Sequence, residues 1–199
     1  MKTVTGLFDN YEDAADAVGE LEATGVPHSN ISIVANNSDD WYDANRSEAA
    51  EDAGSGAGIG AVIGGAGGLL TGLGIMAIPG VGPVVAAGWL AATAAGAVAG
   101  AVAGGAAGGI IGALTESGVS ERDAHVYAEG VRRGGTLVTA KVEDELVPNA
   151  EEILGQSRSV DVAERRRMYE ADGWTGFDAD AGEYAPEVDR DDGRAINRP

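Results

Sequence analysis

The sequence contains no cysteine and only two histidines, His28 and His125. The absence of cysteine excludes disulfides, thiol catalysis and thiolate-bound metal sites. Each histidine stands apart from any serine and carboxylate arrangement, so neither indicates a catalytic triad, and we expect both rings to be exposed. The sequence therefore predicts no catalytic, cofactor-binding or metal-binding residues, and a protein that is not an enzyme.

Positive charge is also scarce, because 13 lysines and arginines stand against 32 acidic residues, for a formal net charge of −19 at pH 7. Such a chain is repelled by phosphate backbones, so nucleic acid is not expected as a partner. Lys2 and Lys141 are the only lysines. An acidic surface keeps a protein soluble when salt screens ordinary charges, so this composition suggests a halophilic source.

Charge of either sign is missing between Asp52 and Glu116. That stretch is long enough for two membrane-spanning helices of about 20 residues each. A turn must interrupt it, because proline lacks an N–H and glycine favours turns. The sequence thus predicts an apolar helical hairpin over residues 53–115. The predicted hairpin turn consists of Pro79, Gly80, Gly82 and Pro83.

Glycine recurs every four residues in this stretch, with Ala92 filling one gap. On a helix that spacing places the glycines on one stripe, where two backbones can approach closely. Glycine costs about 1 kcal/mol relative to alanine in a helix, so the pattern requires tight packing or a membrane. The chain itself, as a homo-oligomer, and the lipid bilayer are therefore the two predicted partners. The predicted helix-packing residues are Gly56, Gly60, Gly64, Gly68, Gly72, Gly88, Gly96, Gly100, Gly104, Gly108 and Gly112.

The segments on either side of the hairpin have the pattern of a folded domain. Residues 2–8 alternate as a strand, and Asp9 with Glu12 has the capping-box pattern that opens a helix before a second strand at 31–34. After the hairpin we expect a helix opened by Ser120, a strand at 136–142, a short helix at 148–155 and a strand at 159–162. Without the hairpin and the helix that follows it, the order is βαββαβ, so the predicted fold is α+β and ferredoxin-like.

These patterns divide the chain into four parts. Residues 1–52 form the first half of the α/β domain with an acidic linker, 53–115 the hairpin, 116–170 the second half, and 171–199 an acidic, largely disordered tail. Trp174 and Phe177 are expected to dock back on the domain. The basic run at residues 165–167 is expected to pair with acidic residues of the same chain.

Two weak motifs are rejected as sites. Gly56, Gly58 and Ala61 match G-x-G-x-x-A, but an acidic linker rather than a strand precedes them, so a dinucleotide site is not indicated. The acidic clusters at 39–40 and 189–192 lack the spacing of a calcium loop and are interpreted as solvated surface.

Several segments resemble a known family. They are Gly6-Leu7-Phe8-Asp9, Ile78-Pro79-Gly80-Val81-Gly82-Pro83, Glu129-Gly130-Val131-Arg132-Arg133-Gly134-Gly135, Val160-Asp161-Val162 and Gly173-Trp174. Together they make the chain similar to the general stress protein 17M-like domain family, also called the heat-induced stress proteins. The resemblance implies a role in the stress response and a membrane association inferred from hydropathy. It supplies no catalytic residues.

The leading hypothesis is a non-enzymatic general stress-response protein on the cytoplasmic side of the cell membrane, associated with the membrane or self-assembling through its hairpin. A soluble cytoplasmic homo-oligomer that buries the hairpin is the alternative. A ferredoxin-like small-molecule sensor is a third hypothesis, which rests on fold analogy alone.

Overall fold

A computed structural model describes residues 1–42, 74–78, 80–93, 109–156, 158–181 and 184. Pro79, most of the acidic tail and most of the predicted zipper lie outside these ranges. The zipper glycines outside them are Gly56, Gly60, Gly64, Gly68, Gly72, Gly96, Gly100, Gly104 and Gly108.

Five strands form one sheet in the order β1-β5-β2-β4-β3, and every neighbouring pair is antiparallel. β5 lies between β1 and β2, so it splits the first βαβ unit. The mixed α/β class with an antiparallel sheet is confirmed. The strands are β1 (Lys2–Phe8), β2 (Ile31–Asn36), β3 (Gly74–Ile78), β4 (Gly82–Gly88) and β5 (Thr136–Val142).

Helices cover both faces of this sheet. One core joins α1 and α4 to the face that carries Val4, Phe8 and Val138, and a second core joins α2 and α3 to the face that carries Leu7 and Leu137. The helices are α1 (Tyr11–Ala23), α2 (Ile110–Glu116), α3 (Glu121–Arg132), α4 (Val147–Leu154) and α5 (Val162–Ala171), with short 3-10 turns at His28–Asn30 and Asp144–Leu146.

The helix starts agree in part with the sequence predictions. Ser120 caps α3 by accepting a hydrogen bond from the Asp123 N–H, as predicted. At α1 the cap is Asn10 rather than Asp9, because the Asn10 side chain accepts from the Asp13 N–H at 2.8 Å. The sequence therefore placed the helix cap one residue too early. The predicted order of strand, helix and strand is correct.

The predicted helical hairpin is wrong around its turn, although residues 89–93 and 110–115 within its predicted bounds are helical. Residues 74–78 and 82–88 are strands, and the turn between them is a β-turn in which the Val81 N–H donates to Ile78 O at 3.0 Å. Gly80 has a φ of +76°, the conformation that follows proline in a type II turn. Pro83 belongs to β4 and faces Ala77 in the register. Gly80 therefore lies in a turn as predicted, but Gly82 and Pro83 begin β4, and the turn joins two strands.

Two zipper positions can be judged in the described chain. Gly88 ends β4 with a φ of +90° and faces Ser32 of β2, so it is a strand residue and not a helix-packing one. Gly112 lies in α2, but no described atom outside its own helix comes within 4 Å of the position that a Cβ would take. Close helix packing at these two glycines is not supported.

The final predicted strand is reduced to a bridge. Ser159 pairs with Phe8 at the outer edge of β1, and the Val160 N–H donates to Leu7 O at 2.7 Å. The strand stops there because Asp161 already caps α5, its side chain accepting from the Glu164 N–H. The prediction of strand up to residue 162 was therefore too long.

The predicted membrane-spanning arms can be compared with the helices of the described chain. Within the described ranges, no helix combines the length and the apolar character needed to cross a bilayer. β4 also lies between β2 and β3, with Val84, Val85 and Ala86 buried. A membrane hairpin with its turn at 78–83 would have to remove β4 from the sheet, and the transmembrane prediction is not supported.

Tyr127 offers a pH test of this packing. Its hydroxyl donates to Thr5 O at 3.4 Å, and burial, helped by Asp123, raises the pKa of Tyr127 to about 12. Because the unfolded phenol ionises near 10, deprotonation favours the unfolded chain. We expect the melting temperature to fall as pH rises from about 10 to 12. In Tyr127→Phe we expect the melting temperature to fall less steeply over the same pH range. An identical slope in both proteins would contradict this assignment.

Candidate interaction surfaces

The outer edge of β3 is an exposed apolar feature of the described chain. β3 is the last strand of the sheet, and no described strand pairs with its outer edge. Gly74, Ile75 and Ala77 are exposed, and Ile75 is 48% accessible. The opposite edge strand, β1, receives the Ser159 bridge. An edge that presents unpaired N–H and C=O groups is a template for another strand.

The tail packs on the hairpin turn. At Gly80, an added Cβ would lie closer than 3.0 Å to the backbone of Asp178 and Ala179. Phe177 packs against the core between the sheet and α2 and α3, and the Trp174 ring meets Tyr169 edge-on at 5.7 Å. The predicted docking of Trp174 and Phe177 is confirmed. Residues 172–181, assigned from the sequence to a largely disordered tail, therefore include segments packed on the domain.

A buried carboxylate lies at the end of α3. Glu129 is 1% exposed, and its Oε1 accepts from Arg133 Nε at 2.6 Å and from Arg132 Nη1 at 3.1 Å. The Arg133 guanidinium also lies over the Tyr169 ring at 4.3 Å and over the Tyr184 ring at 4.8 Å. A buried charge needs such partners, and cation–π contacts add to them. This cluster ties Tyr184 of the tail to the domain.

The glycines next to Glu129 serve close packing. A Cβ on Gly130 would lie closer than 3.0 Å to the Leu7 side chain, so α3 could not lie as near to β1. Gly134 has a φ of +105° just after the helix end, where glycine is favoured. The E-G-x-R-R-G-G motif is thus explained by a buried charge, a close approach and a helix end.

A separate pocket of about 140 Å³ lies between α3, α5 and the turn at 174–176. His125 is half-buried, and its Nδ1 accepts from the Phe177 N–H at 3.1 Å, so the expectation of an exposed His125 was wrong. His28 is exposed, as expected, beside Glu22 at 2.9 Å. The pocket is lined by Arg122, His125, Arg166, Trp174, Thr175 and Gly176.

The basic run next to the pocket pairs within the chain. Arg165 Nη2 lies 2.7 Å from Asp9 Oδ1, and Arg166 Nη2 contacts Asp123 Oδ1. The predicted intrachain pairing is confirmed for these two arginines. Burial raises the pKa of Tyr169, while the Arg165 guanidinium acts in the opposite direction. The run thus anchors α5 to the start of α1 and to α3.

The first part of the chain matches a known family model. Residues 3–80 match the heat induced stress protein YflT domain. The resemblance expected from the sequence is confirmed over that range. Neither the curated proteins nor the solved structures match this chain.

The YflT domain match ends at Gly80 and covers less than half of the chain. It includes β1, α1, β2 and β3. The Glu129 cluster and the pocket lie beyond it, so the likeness of the later segments, such as the one around Glu129, stays a prediction.

Asp39 and Asp40 follow β2 in a turn, and no group of three or more potential metal ligands occurs in the described chain. The predicted acidic cluster at 189–192 lies outside it.

Proposed function

We propose that this chain is a non-enzymatic stress-response protein that works by self-association, with the outer edge of β3 pairing against the same edge of a second copy. The observation that carries the proposal is the exposed, charge-free strand at one end of the sheet. β3 lies within the uncharged stretch between Asp52 and Glu116. The YflT domain match supports the stress-response part of the proposal.

Charge favours this edge over the acidic surfaces of the chain. Each copy carries a formal charge of −19, so two copies repel each other where acidic residues face one another. β3 contributes no charge to that repulsion, and its exposed Ile75 loses contact with water when it is covered. The edge is therefore the place where two acidic chains approach at the lowest electrostatic cost.

Antiparallel pairing gives a symmetric contact. A two-fold axis through Met76 would set Gly74 of one copy opposite Ile78 of the other and join two five-stranded sheets into one. A five-residue strand buries less surface than a stable interface needs, which is about 1,200 Å² or more in total. The contact proposed here is therefore a weak one.

The ferredoxin-like order is the fold we propose for the rest of the domain. It is supported by the neighbour order β1-β5-β2, by the Ser159 bridge outside β1, and by the packing of α1 and α4 on one face. In this arrangement the β3–β4 hairpin extends the sheet beyond β2. We place the protein in the cytoplasm or at the cytoplasmic face of the membrane, and attachment to lipid stays a prediction.

Ile75→Lys tests the proposed contact. Lysine at this position puts two like charges into a symmetric interface, so we expect association on the order of a hundredfold weaker than in the unchanged protein. The measurement is molar mass by light scattering over a dilution series of the full chain. Thr93→Lys is the matched control, because Thr93 is exposed in the same uncharged stretch but lies outside β3.

Three outcomes separate the alternatives. Loss of the dimer in Ile75→Lys alone supports the proposal. A monomeric unchanged protein, or equal masses for the two variants, contradicts it. Flotation of the unchanged protein with neutral lipid vesicles is measured in parallel. A monomer that floats would favour the membrane hypothesis over self-association.

A further inference from the structure

Several residues that line the pocket between α3, α5 and the turn at 174–176 carry hydrogen-bond donors. Arg122 and Arg166 carry guanidinium groups, which cannot accept hydrogen bonds. The His125 Nδ1 is already occupied as an acceptor by the Phe177 N–H. In the neutral ring the proton must then lie on Nε2, which makes that nitrogen a donor.

Two of these lining residues have unused donors. Arg166 Nε and Trp174 Nε1 are buried and have no hydrogen-bond partner among the described residues. Buried N–H groups are nearly always paired in folded proteins, so each of these two calls for an acceptor. Both nitrogens belong to residues that line the same pocket.

The carboxylates near the pocket do not supply that acceptor. Asp123 uses Oδ1 for Arg166 and Oδ2 for the Ser120 hydroxyl at 2.6 Å. Glu170 is half-exposed and lies 3.8 Å from Arg122, which is itself largely exposed. An exposed pair of this kind contributes little, so Arg122 can turn toward a ligand at small cost.

We infer that this pocket binds a small oxyanion, a carboxylate or a phosphate group. Such groups only accept hydrogen bonds, and guanidinium donors fit their geometry. The volume of about 140 Å³ is well below that of pockets for drug-sized ligands, so the ligand is small. The chain's net charge of −19 opposes any anion at long range, so the affinity comes from the local donors and is modest.

The test follows the Trp174 indole N–H by NMR in the full chain while inorganic phosphate or succinate is added. Trp174→Phe identifies that signal among the three tryptophans. We expect a saturable shift with at least one of the two anions, and Arg122→Gln should weaken binding about tenfold. Arg158→Gln is the control, because it removes the same charge from a site that faces Asp13, Asp16 and Glu20 instead.

The outcomes are decisive in both directions. A saturable shift that Arg122→Gln weakens and Arg158→Gln leaves unchanged supports the site for whichever anion produces it. An equal shift with chloride at the same ionic strength, no saturation with either anion, or equal affinities for the two arginine variants would overturn it. Because β3 has no part in this pocket, the result is independent of the oligomeric state.

Discussion

Gly88→Ala is expected to lower the free energy of unfolding by about 3 kcal/mol or more. Gly88 has a φ of +90°, and a Cβ there would lie closer than 3.0 Å to the Ile31 carbonyl oxygen and to Ser32 Cα. Both are backbone atoms of β2, which is paired on its two sides with β4 and β5. The strand therefore has little freedom to move away. Urea unfolding followed by circular dichroism measures the loss.

Gly74→Ala is the matched control for that substitution. Gly74 begins β3 in the same hairpin, and no described atom lies within 4 Å of the position of its added Cβ. We expect a change within about 0.5 kcal/mol. A helix at residue 88 that packs against no neighbouring backbone predicts the opposite sign, since alanine stabilises a helix by about 1 kcal/mol relative to glycine. A more stable Gly88→Ala protein would therefore refute the β-hairpin.

The segments that flank the hairpin could be predicted because their local signals agree with their tertiary contacts. In α1 the apolar positions Ala14, Val18 and Leu21 recur with helical spacing, and all three are buried against the sheet. Ser120 caps α3 through its own side chain, a contact that lies within four residues. Such short-range signals can be read from the sequence without knowing the fold.

The hairpin was mispredicted because a central strand and a buried helix look alike in sequence. β4 is buried on both faces, so Val84, Val85, Ala86 and Ala87 form a continuous apolar run without the alternation of a half-exposed strand. Gly88 continued the four-residue glycine spacing, but its role is to end a strand beside β2. The β-branched valines and the P-G pair at 79–80 were the signals for a hairpin of strands.

The pocket could not be found from the sequence. Arg122 and His125 lie on α3, while Arg166 and Trp174 lie more than forty positions later along the chain. Only the packing of α5 and the following turn on α3 brings them together, and no spacing rule connects them. The charge of Glu129 was visible in the sequence, but its burial depends on the tail and on the close approach of α3 to β1.

The second large effect is expected at Glu129. Glu129→Ala removes the carboxylate that both Arg132 and Arg133 contact, and breaking a buried ion pair from one side costs about 3–5 kcal/mol. We expect the lower end of that range, because the two arginine side chains are 15% and 20% exposed and water can reach them. Glu152→Ala, at an exposed position of α4, should change stability by less than about 0.5 kcal/mol.

Glu129→Gln separates shape from charge at this site. Glutamine keeps the volume and one acceptor oxygen but loses the charge, so its stability should lie between those of the unchanged protein and Glu129→Ala. A double-mutant cycle with Arg133→Met then measures the coupling directly, and we expect an interaction energy of about 1–3 kcal/mol. Coupling near zero, together with a loss below about 1 kcal/mol in Glu129→Ala, would show that the cluster does not stabilise the domain. Strong coupling would instead establish Glu129 as the residue that holds Arg133 in place, and through Arg133 the rings of Tyr169 and Tyr184.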